Sequence, residues 1–423
     1  MEFNSIKEKF IFYNLPVFLF ILIPFFLVTG PFLSDLSISL ISLSFLSYCL
    51  IKKKFLYFKN KYFYFFLIFW IYLFLNSLFN NFNLDSLKIA FFYFRYGVFV
   101  IAIIALLNVD DRFVKYFFYC IFICFTVLVL DGFYQYFFGE NILGWKSQVR
   151  VSSFFGEEKI LGSYLSRLWP IFFGLSIFFI KKTNKIFYLF LSIFILSEAL
   201  IFLSGDRSAF FNINLSAMFV ILFSKKLLKL RLVTLFSSIL LLIIISLINP
   251  TAKERVFDQT IKQMNLLNAI KGDQEKIFIF SKEHTHHYIT AYRMYLDHKI
   301  FGVGIKNFRK FCKYEKYSES ELSCASHPHN TYIQILSETG IFGFLFLITV
   351  LFYFCYYLLK HFKLRLKGKS YFSDFEICVL SAVAIYLWPF IPTGNIFNNW
   401  LNIAMILNLP FLFWKKSKLS FKN

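Results

Sequence analysis

Apolar runs of about 20 residues recur from end to end of this chain, broken by short polar stretches, and strand-like alternation is absent. A helix needs about 20 such residues to cross roughly 30 Å of hydrocarbon. In lipid, only helices and closed barrels satisfy every backbone polar group. The pattern therefore predicts an all-α fold, a polytopic membrane helix bundle of about 12 transmembrane helices. The spans fall at 10–29, 32–51, 62–79, 89–107, 113–138, 160–180, 186–204, 208–224, 232–249, 336–359, 375–393 and 399–414. No small-residue cleavage site follows the first run, so it reads as a retained helix and not a signal peptide. Three regions result: an N-terminal bundle (1–249, about nine spans), one large polar loop (250–335) and a C-terminal bundle (336–423, about three spans).

Composition agrees. Of 423 residues, 58% are hydrophobic and only 16% charged, where soluble domains carry about 25% charged residues. The 64 phenylalanines supply packing and lipid-facing mass and carry no chemistry. A net charge of +21 invites a nucleic-acid reading, but its distribution excludes one. Lysines cluster in "IKKKFLYFKNK", "KKTNK", "SKKLLKLR", "KHFKLRLKGK" and the C-terminal tail, in every second connection. The intervening short loops, "TGPFLSD", "SGDRS" and "IPTGNIFNN", hold few basic residues. That alternation is the positive-inside rule. It predicts membrane lipids as the surroundings, both termini in the cytoplasm, and the 250–335 loop outside it.

Within that loop, "PTAKERVFDQTIKQMNLLNAI" and "THHYITAYRMYLDHKI" have helical spacing. Six of the seven histidines lie in the loop or at its exit: His284, His286, His287, His298, His327 and His329. So do Cys312 and Cys324, which an oxidising compartment permits to pair and which we expect to be bridged. "EHTHH" is rich in metal ligands but lacks a regular helical pair such as H-E-x-x-H, so solvated histidines are the expectation. No metal and no cofactor is expected. D-x-D is absent, and Asp110 and Asp111 fall on the cytoplasmic side.

The loop exits through "SHPHNTYIQILSETGIFG", residues 326–343. Proline favours the first helical position and keeps its predecessor out of helical angles. The spacing thus predicts His327 as a cap and His329 in the first turn. The positive end of the helix would hold His329 neutral and able to accept a proton. Asn330 is expected to cap or orient. Gly340 and Gly343, one turn apart, would allow close approach of another membrane helix. The plainer alternative is a loop histidine beside a helix start.

Charges near the outer edge add to the picture. Arg95 and Arg167 fall within spans, Arg207 follows one, Arg150 precedes one, and Arg293 lies in the loop. Intramembrane charges are costly and are functional candidates by default. Arginine's planar fork suits phosphate. A neutral base and arginines on one side suggest chemistry on a phosphate-bearing substrate held in the membrane.

At these residues the chain resembles the O-antigen ligase and polymerase superfamily. His329-Asn330, nine residues, then Gly340-Ile-Phe-Gly343 is similar to that family's His-Asn-x9-Gly-x-x-Gly element. "FGVGIKNF" resembles its Gly-x-Gly turn, and "SGDRSAF" its arginine element after a mid-chain span. "LDGFYQYFFGENILG" and "RVSSFFGEEKILGSYL" resemble its upstream region. The resemblance implies a metal-independent, inverting glycosyltransferase of the bacterial inner membrane. Its donor would be a glycan on a polyprenyl diphosphate. Its acceptor would be a sugar hydroxyl, on lipid A–core for a ligase or on another glycan for a polymerase. It implies His329 as the base and Arg207 and Arg293 on the diphosphate, with Arg150 and Arg95 as further contributors. Glu157 and Glu158 are candidate acceptor contacts. His327 offers a second imidazole, but the Asn and both glycines align with His329. A non-catalytic polysaccharide transporter is the reading from another class.

Overall fold

The computed structural model describes residues 1–80, 83–147, 150–179, 186–225, 228–248, 253–265, 278 and 281–414. Among these residues the chain is helical, and its one β feature is an isolated bridge between Glu140 and Lys146. The main helices are α1 (Ile6–Thr29, through one π turn), α2 (Pro31–Ile51), α3 (Lys61–Phe79), α4 (Leu84–Val109) and α5 (Phe113–Phe138). They continue with α6 (Leu161–Phe179), α7 (Ile186–Leu203), α8 (Arg207–Phe223), α9 (Leu228–Ile248) and α10 (Lys282–Asp297). The chain closes with α11 (Thr331–Leu366), α12 (Asp374–Leu387), α13 (Asn399–Ile406) and α14 (Leu409–Phe413).

Every apolar run singled out in the sequence coincides with one of these helices, the last with the pair α13 and α14. Among the described residues, seven helices are long and apolar enough to cross a membrane: α1 to α5, α9 and α11. The fold is a helical membrane bundle. One run is shorter than expected. Of 375–393, only Asp374–Leu387 is helical. Pro389 and Pro392 follow, and proline disfavours helical angles in its predecessor while lacking an N–H to continue the ladder. The carbonyls this frees are used: Tyr332 Oη donates to Leu387 O at 2.6 Å and Asn330 Nδ2 to Pro389 O at 2.8 Å. The irregular segment 388–398 is thereby tied to the start of α11.

α12 packs on both α6 and α8, α4 on α2 and α3, and α1 on α2 and α5. The core between them is largely aromatic, with Phe20, Phe99, Phe117, Phe118, Phe125 and Phe172 fully buried. Phenylalanine does here what leucine and alanine do in other bundles: it fills space, and edge-to-face and offset pairs such as Phe20–Phe113 at 5.7 Å hold the packing.

The 250–335 region is partly described. A π turn at Glu254–Asp258 leads into Gln259–Gln263, which ends in a turn at Met264 and Asn265, short of the expected helix over 250–270; residues 250–252 and 266–270 lie outside the described residues. α10 carries an amphipathic face onto α11. A disulfide joins Cys312 to Cys324, with Cα atoms 5.2 Å apart.

Candidate functional site

The start of α11 differs from the expectation. Its N-cap is Asn330, whose Oδ1 accepts from the backbone N–H groups of Tyr332 and Ile333 at 3.0 and 3.2 Å. Asparagine is among the best N-cap residues because its short side chain reaches the free N–H groups of the first turn. Neither Pro328 nor His329 is helical. His329 sits ahead of the cap with φ of 56°. A left-handed conformation in a non-glycine residue costs energy and persists only where its surroundings enforce it. Here Thr393 N donates to His329 O at 2.8 Å, fastening the residue to the segment after α12.

The two histidines beside Pro328 are held differently. His327 is buried, and both ring nitrogens are engaged: Nε2 with Thr393 O at 3.1 Å and Nδ1 with Ser326 Oγ at 2.8 Å. A carbonyl only accepts, so Nε2 carries the proton and Nδ1 of the neutral ring accepts from the serine. His327 is occupied. The His329 ring makes no such bond among the described residues. It stands 4.1 Å from the His327 ring centroid, 5.3 Å from His284 and 5.4 Å from His287.

This four-histidine cluster is neutral. Burial, then His327, His284 and His287, pushes His329 down to about 3. Burial, followed by His287 and Arg207, takes His284 to about 4. Burial lowers His327 to about 4 against the opposing pull of the Thr393 carbonyl. His287 is lowered too, chiefly by burial. Four imidazoles within ring contact cannot all be charged, and desolvation adds to that cost. The neutral base thus comes from burial and crowding, not from the end of α11.

His329, His284 and His327 line a cavity of about 1090 Å³. Its cationic lining is Arg150, Arg167, Arg207, Lys306 and Arg309, against the carboxylates Glu158 and Asp206. Arg207 is the first residue of α8, placed there by the Asp206 cap, and it donates to Gln263 Oε1 at 2.7 Å. Arg150 and Arg255 meet over Gly205. A Cβ there would stand 2.6 Å from Arg255 Cδ and 3.6 Å from Arg150 Cγ, and Gly205 has φ of 61°. Glycine is required on both counts. Arg255 Nε donates to Gly205 O at 3.3 Å, while Arg150 Nε is buried without a partner among the described residues. Burial, then Arg150 and Arg207, lowers Arg255. Like charges gathered without carboxylate pairing are costly unless an anion joins them.

Two sequence candidates lie elsewhere. Arg293 forms an ion pair with Glu319 on the outer side of α10 and does not line the cavity. Arg95 pairs with Asp35 and stacks on Tyr96, 5.2 Å from its ring, between α2 and α4. Each has its counter-ion within the protein. Glu158 lines the cavity and Glu157 does not. Arg167 lies 4.5 Å over the Tyr386 ring and also borders a smaller apolar cavity of about 260 Å³.

Gly340 and Gly343 also have different roles. Gly340 has φ of 66° and kinks α11 there. It faces the backbone of Ile300, so the close approach is by the loop and not by a membrane helix. Ile341 N donates to Lys299 O at 2.8 Å, Val303 N to Ser337 O at 2.9 Å and Gly304 N to Glu338 O at 2.9 Å. The freed Thr339 carbonyl accepts from Tyr72 Oη. A Cβ on Gly343 would collide with the Thr339 side chain one turn back in its own helix, with Tyr72 of α3 next at 3.4 Å. Arg255, Lys306, Arg309 and the pairing of His284 and His287 with His329 escaped the sequence reading. The i, i+3 spacing of His284 and His287 on α10 was the available signal for the last.

Residues 189–348 match the family model described as O-antigen ligase, a segment that contains Arg207, Arg255, the histidine cluster and the kink. No curated protein matches the chain.

Proposed function

We infer, from the O-antigen ligase domain of residues 189–348, that this membrane protein is an inner-membrane glycosyltransferase of the O-antigen ligase type. It transfers a polyprenyl-diphosphate-linked glycan to a sugar hydroxyl, with lipid A–core as acceptor, in lipopolysaccharide assembly. The observation that carries this reading is a neutral His329 with a free ring edge in a cavity whose arginines lack carboxylate partners. Twelve spans, cytoplasmic termini and a periplasmic 250–335 loop complete it, so that the cavity opens where the donor is displayed.

In this mechanism His329 takes the proton from the acceptor hydroxyl as its oxygen bonds to the anomeric carbon. The bond from that carbon to the diphosphate oxygen breaks, and its electron pair leaves with the diphosphate. Arg207, Arg150 and Arg255 receive the charge. A diphosphate leaves as an anion, so no proton donor and no metal is required, and a single displacement inverts the anomeric centre.

The test is transfer by the purified protein in detergent, from lipid-linked donor to lipid A–core. A transporter forms no product. Lipopolysaccharide from a deletion strain separates the two transferase roles. Core without any attached glycan identifies the ligase, and core with one repeat identifies a polymerase.

A further inference from the structure

The cavity wall carries two cationic groups beside the histidines, Arg150 with Arg207 and Lys306 with Arg309. Arg207 lies in the field of His284, whose ring is 5.3 Å from His329. His329 is also 4.1 Å from His327, and His327 lies in the field of Arg309, which acts on Lys306 as well. We propose that Lys306 and Arg309 form a second anion site, which binds a phosphate group on the acceptor glycan. This rests on the transferase reading above. In an inverting displacement the attacking hydroxyl and the leaving diphosphate occupy opposite faces of one carbon. If the arginines around Gly205 hold the diphosphate, the acceptor lies beyond the base, on the side of Lys306 and Arg309.

The pair is built to bind. Neither residue has a carboxylate within ion-pair distance among the described residues. The acid whose field reaches Lys306 is Glu338, which is fully buried and accepts from Gln334 Nε2 and Phe308 N at 3.0 and 3.3 Å. Lys306 has φ of 57°, on a turn that is fixed from two sides. Ser86 Oγ donates to Ile305 O at 2.6 Å and Asn83 Nδ2 to Asn307 Oδ1 at 3.0 Å, while Val303 and Gly304 are bonded to α11. Rigid placement lowers the entropic cost of binding. A lysine point charge beside an arginine fork matches a phosphate better than a neutral sugar.

The experiment uses the full protein in detergent with lipid A–core, intact or dephosphorylated with hydrofluoric acid. Lys306→Gln and Arg309→Gln should each raise the KM for the phosphorylated acceptor about tenfold, as expected for a lost charge-assisted bond. The KM for the dephosphorylated acceptor and for the donor should move less than twofold. Arg309→Lys should recover most of the loss, which guards against misfolding. A rise in donor KM assigns the pair to the diphosphate and overturns the proposal. So does an equal effect on both acceptors. If phosphatidylglycerol competes with neither form of the acceptor in wild type, a lipid headgroup is not the occupant, whereas competition abolished in the variants would make it one and overturn the proposal. Equilibrium binding of both acceptors to donor-free protein decides the matter even if no transfer is seen. Preference for the phosphorylated form, lost in Lys306→Gln, supports the site, and its absence in wild type sinks it. Absence of transfer with that preference intact would fault the transferase reading alone.

Discussion

Arg231 and Arg150 are both arginines of an apolar chain, yet they are treated oppositely. Arg231, on α9, is fully buried and paired with Glu198; it also bonds Thr234 at 3.0 Å and lies 4.7 Å over Trp169. Arg95 and Arg293 resemble it, each with its own carboxylate. Arg150 gathers instead with Arg255 near Arg207, without an acid of its own among the described residues. The first set is neutralised by the fold and the second awaits charge from outside. On the proposed reading, what marks a functional cation in this bundle is the missing counter-ion, not depth in the membrane.

The comparison can be broken most severely at the base it serves. His329→Ala should lower transfer about 10²- to 10⁴-fold while the protein still inserts, whereas His327→Ala should retain measurable activity; radiolabelled donor and a membrane-fraction blot read both. The reverse order would reassign the base. Arg207→Gln and Arg150→Gln should each cost about a hundredfold in kcat/KM. Arg231→Ala should instead appear as lost stability of about 3–5 kcal/mol, visible as early aggregation on heating, with the donor KM of the surviving protein unchanged. The pH profile sharpens the point. An imidazole held down to about 3 binds no proton between there and its unfolded value of about 6.5. The acid limb of kcat/KM should therefore lie below pH 6, and a midpoint at 6.5 or above would contradict a buried base. The same sign holds for stability: the unfolded chain binds more protons in that window, so stability is full above pH 6.5 and falls as the medium is acidified towards 4. The smallest effect belongs to Arg293→Gln, whose partly exposed pair with Glu319 should change turnover less than threefold.

The bundle was largely legible because membrane crossing imposes length and apolarity, which a sequence displays directly. α12 fell short of its expected end for a local reason, Pro389 and Pro392, which were visible but underweighted. Near the candidate site the Asn330 cap was legible, because capping is a local requirement, whereas His329 lies ahead of the helix and not in its first turn, and Gly340 meets the loop and not a membrane helix. The site was not legible where residues meet only in three dimensions. Arg255 lies far along the chain from Arg150, and nothing local announces that they share Gly205. Arg293 seemed equivalent to them because its partner Glu319 is 26 positions away.

The kink at Gly340 sets the reach of variation. Three backbone bonds weld the turn at 299–304 to the start of α11, so His329 and the Lys306–Arg309 pair are indexed to one another like two marks on a single ruler. The chain between them, 310–326, leaves that ruler and returns to it, and its disulfide closes the excursion on itself. That arch can lengthen, shorten or change its surface without altering the spacing of the marks. On the transferase reading, a protein so constructed can exchange the glycan it meets at the mouth of the cavity while the chemistry behind it stays in register.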